Sequence, residues 1–125
     1  MQKSLLIVED DQQIVAAMIA AFKRSNSGVD IIVARDGDMA IKLARKELPD
    51  IILLDIMIPK QLGIQVLKVL KSSHDTKDIP ILVLSNYSGY RNEVLEMGAE
   101  EFLLKVEVTM DNIKDITNQY LANSN

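Results

Sequence analysis

The sequence alternates five short apolar runs with stretches of helical periodicity, and this alternation constrains the fold more than any other feature. The runs occupy residues 5–8, 29–34, 51–54, 81–84 and 102–104. Runs this short and this apolar are typical of strands that are covered on both faces. Between them apolar residues recur at helical spacing, as Ile14, Met18 and Phe22 do in the first stretch. Strand–helix alternation of this kind predicts a parallel sheet with helices on both faces.

Residues that begin or end secondary structure agree with this division. Prolines fall between the predicted elements, at positions 49, 59 and 80. Gly98 follows the fourth helical stretch, where a left-handed C-cap is expected. Asp36 and Thr109 are placed to cap the second and fifth helices. The methionines of the helical stretches are interpreted as core-filling side chains, chiefly Met18, Met39 and Met97.

Length and composition indicate one globular domain that spans residues 1–125. The net charge of −4 argues against a nucleic-acid surface, which needs a basic face. No apolar run approaches the roughly 20 residues of a membrane span, and the first residues lack the long apolar region of a signal peptide. The sequence has no cysteine, which excludes a disulfide framework and a cysteine nucleophile and suits a reducing compartment. We therefore expect a cytoplasmic protein.

Charged and hydroxyl side chains follow four of the five predicted strands. Three acids follow the first strand, one acid the third, a hydroxyl the fourth and a lysine the fifth: Glu9, Asp10, Asp11, Asp55, Ser85 and Lys105. The carboxyl ends of parallel strands meet at one edge of the sheet, and ligands bind there. These side chains are therefore expected to form one site.

Such a set of groups has a definite chemistry. Clustered carboxylates repel one another unless a cation lies among them, and oxygen ligands suit Mg²⁺. A carboxylate in such a site can attack a phosphoryl group and form an aspartyl phosphate, while Lys105 and Ser85 neutralise and hydrogen-bond the phosphoryl oxygens. Each residue also has a simpler interpretation: the acids at 9–11 could only favour the positive end of a helix, and Ser85 could only satisfy nearby backbone. The coincidence of all of them at one sheet edge favours the site.

In order and spacing these residues resemble the receiver domain of bacterial response regulators. The matching segments lie at residues 7–11, 55–59 with Gly63, 84–85, 98–99 and 102–105. The resemblance covers essentially the whole chain. It implies an α/β, flavodoxin-like (βα)5 three-layer sandwich with a parallel five-stranded sheet of order 2-1-3-4-5.

The resemblance also implies a role for each site residue. Asp55 would be the phosphoacceptor. Glu9, Asp10 and Asp55, together with the backbone carbonyl of Met57, would hold Mg²⁺, with Asp10 bound directly and Glu9 through water. Lys105 would pair with the phosphoryl group or with the Asp55 carboxylate.

A switch pair follows from the same resemblance. The Ser85 hydroxyl would move toward the phosphoryl group, and the Phe102 ring would turn inward behind it. The surface formed by the fourth helix, fifth strand and fifth helix would then signal to a downstream protein. The partners implied are a sensor histidine kinase or a histidine phosphotransfer protein, with no direct nucleic-acid or membrane contact.

We therefore expect a phosphorylation-controlled switch that catalyses only its own phosphorylation and dephosphorylation, and is not otherwise an enzyme. Met57 and Tyr87 flank the position of an attacking water, which predicts slow loss of phosphate. The chain ends soon after the fifth helix. We expect a stand-alone receiver, with the front part of a longer regulator as the alternative.

The sequence departs from the family pattern in three places, and two of them, Val106 and Asn86, keep a phosphate-independent interaction module as the alternative function. Val106 stands where the family usually has a cis-proline, and Asn86 where it has a small residue. The segment from Ser85 to Lys105 is shorter than in the common pattern, around residues 88–89. Two other classes of protein are disfavoured. A haloacid-dehalogenase-type phosphatase has a second aspartate where this sequence has Met57. A flavin-binding module is disfavoured because the acids that follow the first strand would repel the flavin phosphate.

Overall fold

The computed structural model describes residues 2–60 and 62–124, which form a parallel five-stranded sheet of order β2-β1-β3-β4-β5. The strands are β1 (Ser4–Val8), β2 (Asp30–Ala34), β3 (Ile51–Asp55), β4 (Ile81–Ser85) and β5 (Glu101–Leu104). Every strand pair is parallel. The predicted fold class and strand order are confirmed.

Helices cover both faces of the sheet and make it the middle of three layers. They are α1 (Gln12–Arg24), α2 (Gly37–Glu47), α3 (Gly63–Ser72), α4 (Arg91–Glu96) and α5 (Met110–Asn123). Helix α1 packs beside α5, and α2 packs beside α3. A 3₁₀ turn (Ser88–Tyr90) precedes α4, the shortest of these helices. Within the described ranges, every helix falls short of the length and hydropathy that a membrane crossing requires.

Alternate residues of the central strands face two separate cores, because side chains alternate across a strand. In β1, Leu5 and Ile7 face the core under α1 and α5, whereas Leu6 and Val8 face the core under α2, α3 and α4. Strands β3 and β4 are buried along their whole length. The expectation of full coverage is wrong for β2, whose first residue, Asp30, is exposed and whose next three residues are half-buried. Strand β2 is an outer strand of the sheet, so one of its sides has no neighbouring strand.

The predicted helix ends are confirmed. The Asp36 side chain accepts the Met39 N–H at 2.8 Å, and Thr109 forms a capping box with Asn112 at the start of α5. Gly98 follows α4 with a φ of 108°, which an L side chain rarely adopts.

The interpretation of the methionines is correct at two positions and wrong at one. Met18 is buried, and Met97 packs against the core. Met39 is 42% exposed. The buried face of α2 consists of Gly37, Ala40 and Ala44, so Met39 lies on the side of the helix.

Candidate functional site

Three carboxylates meet at the carboxyl edge of the sheet. Glu9 and Asp10 follow β1, and Asp55 ends the neighbouring strand β3, whose Leu54 pairs with Val8. Each of the three acids offers one carboxylate oxygen, and these atoms lie within 4.8 Å of one another. Glu9 and Asp55 are 2% and 4% exposed, whereas Asp10 is open to solvent. The cluster is therefore a buried pair of acids with an exposed third acid.

Lys105 closes this cluster from the turn after β5. Its Nζ lies 2.9 Å from Asp55 Oδ2 and 3.0 Å from Glu9 Oε1. Burial lowers the pKa of the Lys105 ammonium, but the hydrogen bonds and negative charges of Asp55 and Glu9 outweigh burial and raise it. Burial, and then the negative charge of Asp55, raise the pKa of Glu9 to about 7.

The donor set of this cluster fits a hard divalent cation. It consists of oxygen atoms alone, the ligands that Mg²⁺ prefers. Its exposed member, Asp10, leaves a side from which a cation and its waters can enter.

Backbone contacts orient Asp55. Its Oδ1 accepts the Met57 N–H at 3.0 Å, while Oδ2 faces Lys105. The Gly63 N–H donates to the Ile56 carbonyl oxygen at 2.7 Å. A Cβ on Gly63 would lie 2.5 Å from Ile56 Cα, so the start of α3 lies directly on the loop that follows Asp55. The Met57 carbonyl as a metal ligand stays a prediction.

Two of the sequence-predicted polar residues make only local hydrogen bonds. Asp11 lies outside the carboxylate cluster and caps α1, accepting the N–H groups of Gln13 and Ile14 at 2.8 and 3.3 Å. Ser85 lies at the same sheet edge as Asp55, but its Oγ donates to the Tyr87 carbonyl oxygen at 2.9 Å and accepts the Tyr87 N–H at 3.0 Å. Asp11 therefore stabilises the start of a helix, and the Ser85 hydroxyl satisfies nearby backbone groups, as the simpler interpretations of these two residues expect.

The contacts around Phe102 could not be predicted from the sequence. The ring is 5% exposed, and the guanidinium Cζ of Arg91 lies 4.9 Å from its centroid. Tyr87 and Tyr90 form an edge-to-face pair with centroids 5.8 Å apart. These contacts depend on how α4 packs on β5, and the spacing of residues in the sequence does not predict this packing.

Val106, which stands at the position of the family's usual cis-proline, lies in an exposed turn after β5. No peptide bond in the described ranges is cis, so Lys105–Val106 is trans. The Glu107 N–H donates to the Leu104 carbonyl oxygen at 2.9 Å and closes a turn that leaves Val106 79% exposed. Asn86 is also exposed, beside this turn.

Comparison with known proteins decides the family. The family model described as the response regulator receiver domain matches residues 5–118. The chain belongs to the response regulator receiver domain family. This receiver domain is therefore a signalling module of two-component systems rather than a conventional enzyme. The family match excludes the phosphatase and the flavin-binding alternatives. Receiver domains bind Mg²⁺ at an acidic site and interact with histidine kinases or phosphotransfer proteins.

Two curated relatives of the receiver domain are longer transcriptional regulatory proteins. It is 38% identical over 107 residues to the alkaline phosphatase synthesis transcriptional regulatory protein PhoP of Bacillus subtilis, covering 84% of this chain and 43% of that protein. It is 34% identical over 103 residues to CpxR of Escherichia coli K12, covering 81% of this chain and 42% of that protein. The chain thus spans less than half the length of these relatives.

Solved structures of receiver proteins share the fold of this receiver domain. The Mn²⁺-bound form of response regulator Rcp1 superposes with a TM-score of 0.87 at 26% identity, covering 97% of this chain and 96% of that one. The Francisella response regulator 1452 receiver domain has a TM-score of 0.85 at 27% identity, covering 97% and 98%.

Proposed function

We propose that the protein is a phosphorylation-controlled switch in which Asp55 accepts a phosphoryl group from a phosphohistidine. One observation carries the proposal: Asp55 is a buried carboxylate, paired with Lys105 at 2.9 Å and adjacent to two further carboxylates. The donor would be a sensor histidine kinase or a histidine phosphotransfer protein, as the family membership suggests.

Glu9, Asp10 and Asp55, with the Met57 carbonyl, would hold Mg²⁺ in this proposal. The Mn²⁺-bound form of the similar protein Rcp1 supports the binding of a divalent cation. A bound divalent cation supplies positive charge that neutralises the phosphoryl oxygens during transfer.

The chain's own residues would carry out the transfer. A carboxylate oxygen of Asp55 attacks phosphorus, the P–N bond breaks, and its electron pair returns to the imidazole nitrogen. The imidazole leaves neutral when its other nitrogen carries a proton. The Lys105 ammonium, already 2.9 Å from Asp55, balances the added negative charge. Exposed Met57 and Tyr87 side chains would slow the attack of water on the product.

The proposal extends to the domain and its setting. Residues 1–125 would act as a single receiver domain that signals to a downstream protein through the surface formed by α4, β5 and α5. A cytoplasmic location is included because the absence of cysteine suits a reducing compartment. A phosphate-independent interaction module is the second candidate. It is favoured by one observation, that the Ser85 hydroxyl is bonded to Tyr87 rather than directed at Asp55.

Intact mass spectrometry tests the two candidates. The protein is incubated with Mg²⁺ and acetyl phosphate, with EDTA, Asp55→Asn and the exposed-site variant Asp75→Asn as comparisons. The proposal expects the mass of one phosphoryl group on the wild type and on Asp75→Asn, and no gain with EDTA or in Asp55→Asn. No gain on the wild type favours the interaction module. Full phosphorylation of Asp55→Asn refutes the assignment of the phosphoacceptor.

A further inference from the structure

A cavity of about 260 Å³ lies between α1, α5 and the loop that follows β5. Its floor includes the buried side chains of Met18, Leu84 and Ile113. Asn86 and Val106 line the same cavity and are exposed, so they form its rim. A concave surface with a buried apolar floor and a few polar groups is the usual form of a small-molecule site.

The size and the lining of this cavity indicate what kind of molecule fits it. An apolar cavity of about 150 Å³ is large enough to bind benzene, so this one has room for a ring that carries a substituent. Apart from Asn86 and Lys105, every residue that lines it is apolar. Met18 and Met110 are among them, and methionine thioethers make favourable contacts with aromatic rings. The lining therefore favours an aromatic ring.

The two polar residues of the lining indicate the substituent of this ring. The Lys105 ammonium already donates to Asp55 and Glu9, at 2.9 and 3.0 Å, and the negative charges of these acids disfavour an anionic ligand. Among the described residues, by contrast, no hydrogen bond engages the side-chain amide of Asn86. A primary amide offers both donors and an acceptor, so it can pair with a second amide in both directions.

We propose that this cavity, the α1–α5 cavity, is a binding site for a neutral aromatic amide. The ring of the ligand lies on the apolar floor, and its amide group pairs with the side chain of Asn86 at the rim. The inference goes beyond the proposed function, because binding in the α1–α5 cavity needs no phosphorylation of Asp55.

Benzamide is the probe, and methyl nuclear magnetic resonance of ¹³C-methionine-labelled protein detects its binding. Benzamide should shift the methyl signals of Met18 and Met110, which line the α1–α5 cavity. Met39, exposed on α2, lies outside the cavity and is the internal reference. A ligand of this size should bind with a Kd on the order of 1 mM.

Three variants test the two parts of the site. Asn86→Ala removes the amide and should raise the Kd of benzamide by about two- to tenfold, which corresponds to one hydrogen bond. Asn92→Ala is the matched control, because it removes an exposed asparagine of α4 outside the cavity, and it should keep the wild-type Kd. Val108→Phe places a ring in the cavity itself and should abolish binding, with urea unfolding as the check that this variant is folded.

Benzoate tests the chemical class of the ligand. It has the same ring as benzamide, but it carries a negative charge and has no proton to donate to Asn86. We expect benzoate to bind about tenfold more weakly than benzamide, since it loses a hydrogen bond and places its charge beside the carboxylate cluster.

Three outcomes would overturn the proposal. Unshifted Met18 and Met110 signals at the highest soluble benzamide concentration show that the cavity does not take a small ligand and leave it to a side chain of a protein partner. Equal Kd values for the wild type and Asn86→Ala refute the amide pairing. Benzoate that binds as tightly as benzamide shows that Lys105, rather than Asn86, selects the ligand. Labelling of Asp55 by acetyl phosphate is measured separately, so failure of the proposed function is distinguishable from each of these outcomes.

Discussion

Gly63→Ala tests whether the start of α3 supports the loop that carries Asp55. The added Cβ would lie 2.5 Å from Ile56 Cα and 2.6 Å from the Asp55 carbonyl oxygen. Carbon atoms prefer separations of about 3.5–4.0 Å, so the new methyl group is roughly 1 Å too close. Both obstructing atoms belong to the backbone, and no side-chain rotation can relieve the overlap.

The expected loss of stability combines three contributions. Overpacking costs about 1–3 kcal/mol, and separation of the Gly63 N–H from the Ile56 carbonyl oxygen, now 2.7 Å apart, costs about 1 kcal/mol more. The higher helix propensity of alanine returns up to about 1 kcal/mol. The net loss is about 2 kcal/mol, or a drop of about 1 M in the urea midpoint for a slope of about 2 kcal/mol/M.

Urea unfolding followed by circular dichroism measures this loss, and acetyl phosphate labelling measures its effect on the site. Gly89→Ala is the matched control for the unfolding measurement alone, because its new Cβ meets only the ring of the exposed Tyr87 side chain, also at 2.5 Å. We expect the control to lose less than about 0.5 kcal/mol, the usual limit for surface substitutions. Gly63→Ala with wild-type stability and wild-type labelling would refute the argument that this close approach positions Asp55.

Three further predictions follow from other contacts. Lys105→Met leaves two buried carboxylates without their ammonium and should lower the free energy of unfolding in EDTA by about 3–5 kcal/mol. Urea unfolding measures this loss, and Mg²⁺ should partly restore the stability. An equal loss of stability in the control Lys114→Met would contradict the prediction. Leu48, 52% exposed with a φ of 46°, occupies a left-handed conformation, so Leu48→Gly should raise the free energy of unfolding by about 0.5–1 kcal/mol; an unchanged thermal midpoint would argue against strain there. Burial and the hydrogen bond to Glu101 raise the pKa of Tyr120 to about 12. Its contribution to stability is complete below the unfolded value of about 10 and is lost as the pH rises through the folded pKa. Ultraviolet titration should therefore show a late tyrosine component that Tyr120→Phe removes.

Much of the fold could be predicted because local patterns report burial and capping. The period of the apolar residues distinguished strand from helix, and Asp36, Thr109 and Gly98 marked helix ends with the groups that those ends require. The position of Met39 and the exposure of β2 could not be predicted in the same way. Helix α2 buries its narrow face of Gly37, Ala40 and Ala44. Whether a strand is an outer strand of the sheet depends on the strand order, which no short stretch of the sequence reveals.

The sequence by itself determined which chemical groups share the site. Since the strands are parallel, the residues that follow them reach one edge, and Glu9, Asp10, Asp55 and Lys105 do meet there. Only the tertiary structure decided what each group contacts. It turned the Ser85 hydroxyl toward Tyr87, assigned Asp11 to a helix cap and placed Arg91 over Phe102. Topology sets the position of a Cα atom to within a few ångströms, whereas a hydrogen bond or ring contact depends on rotamers and on how one element packs on the next.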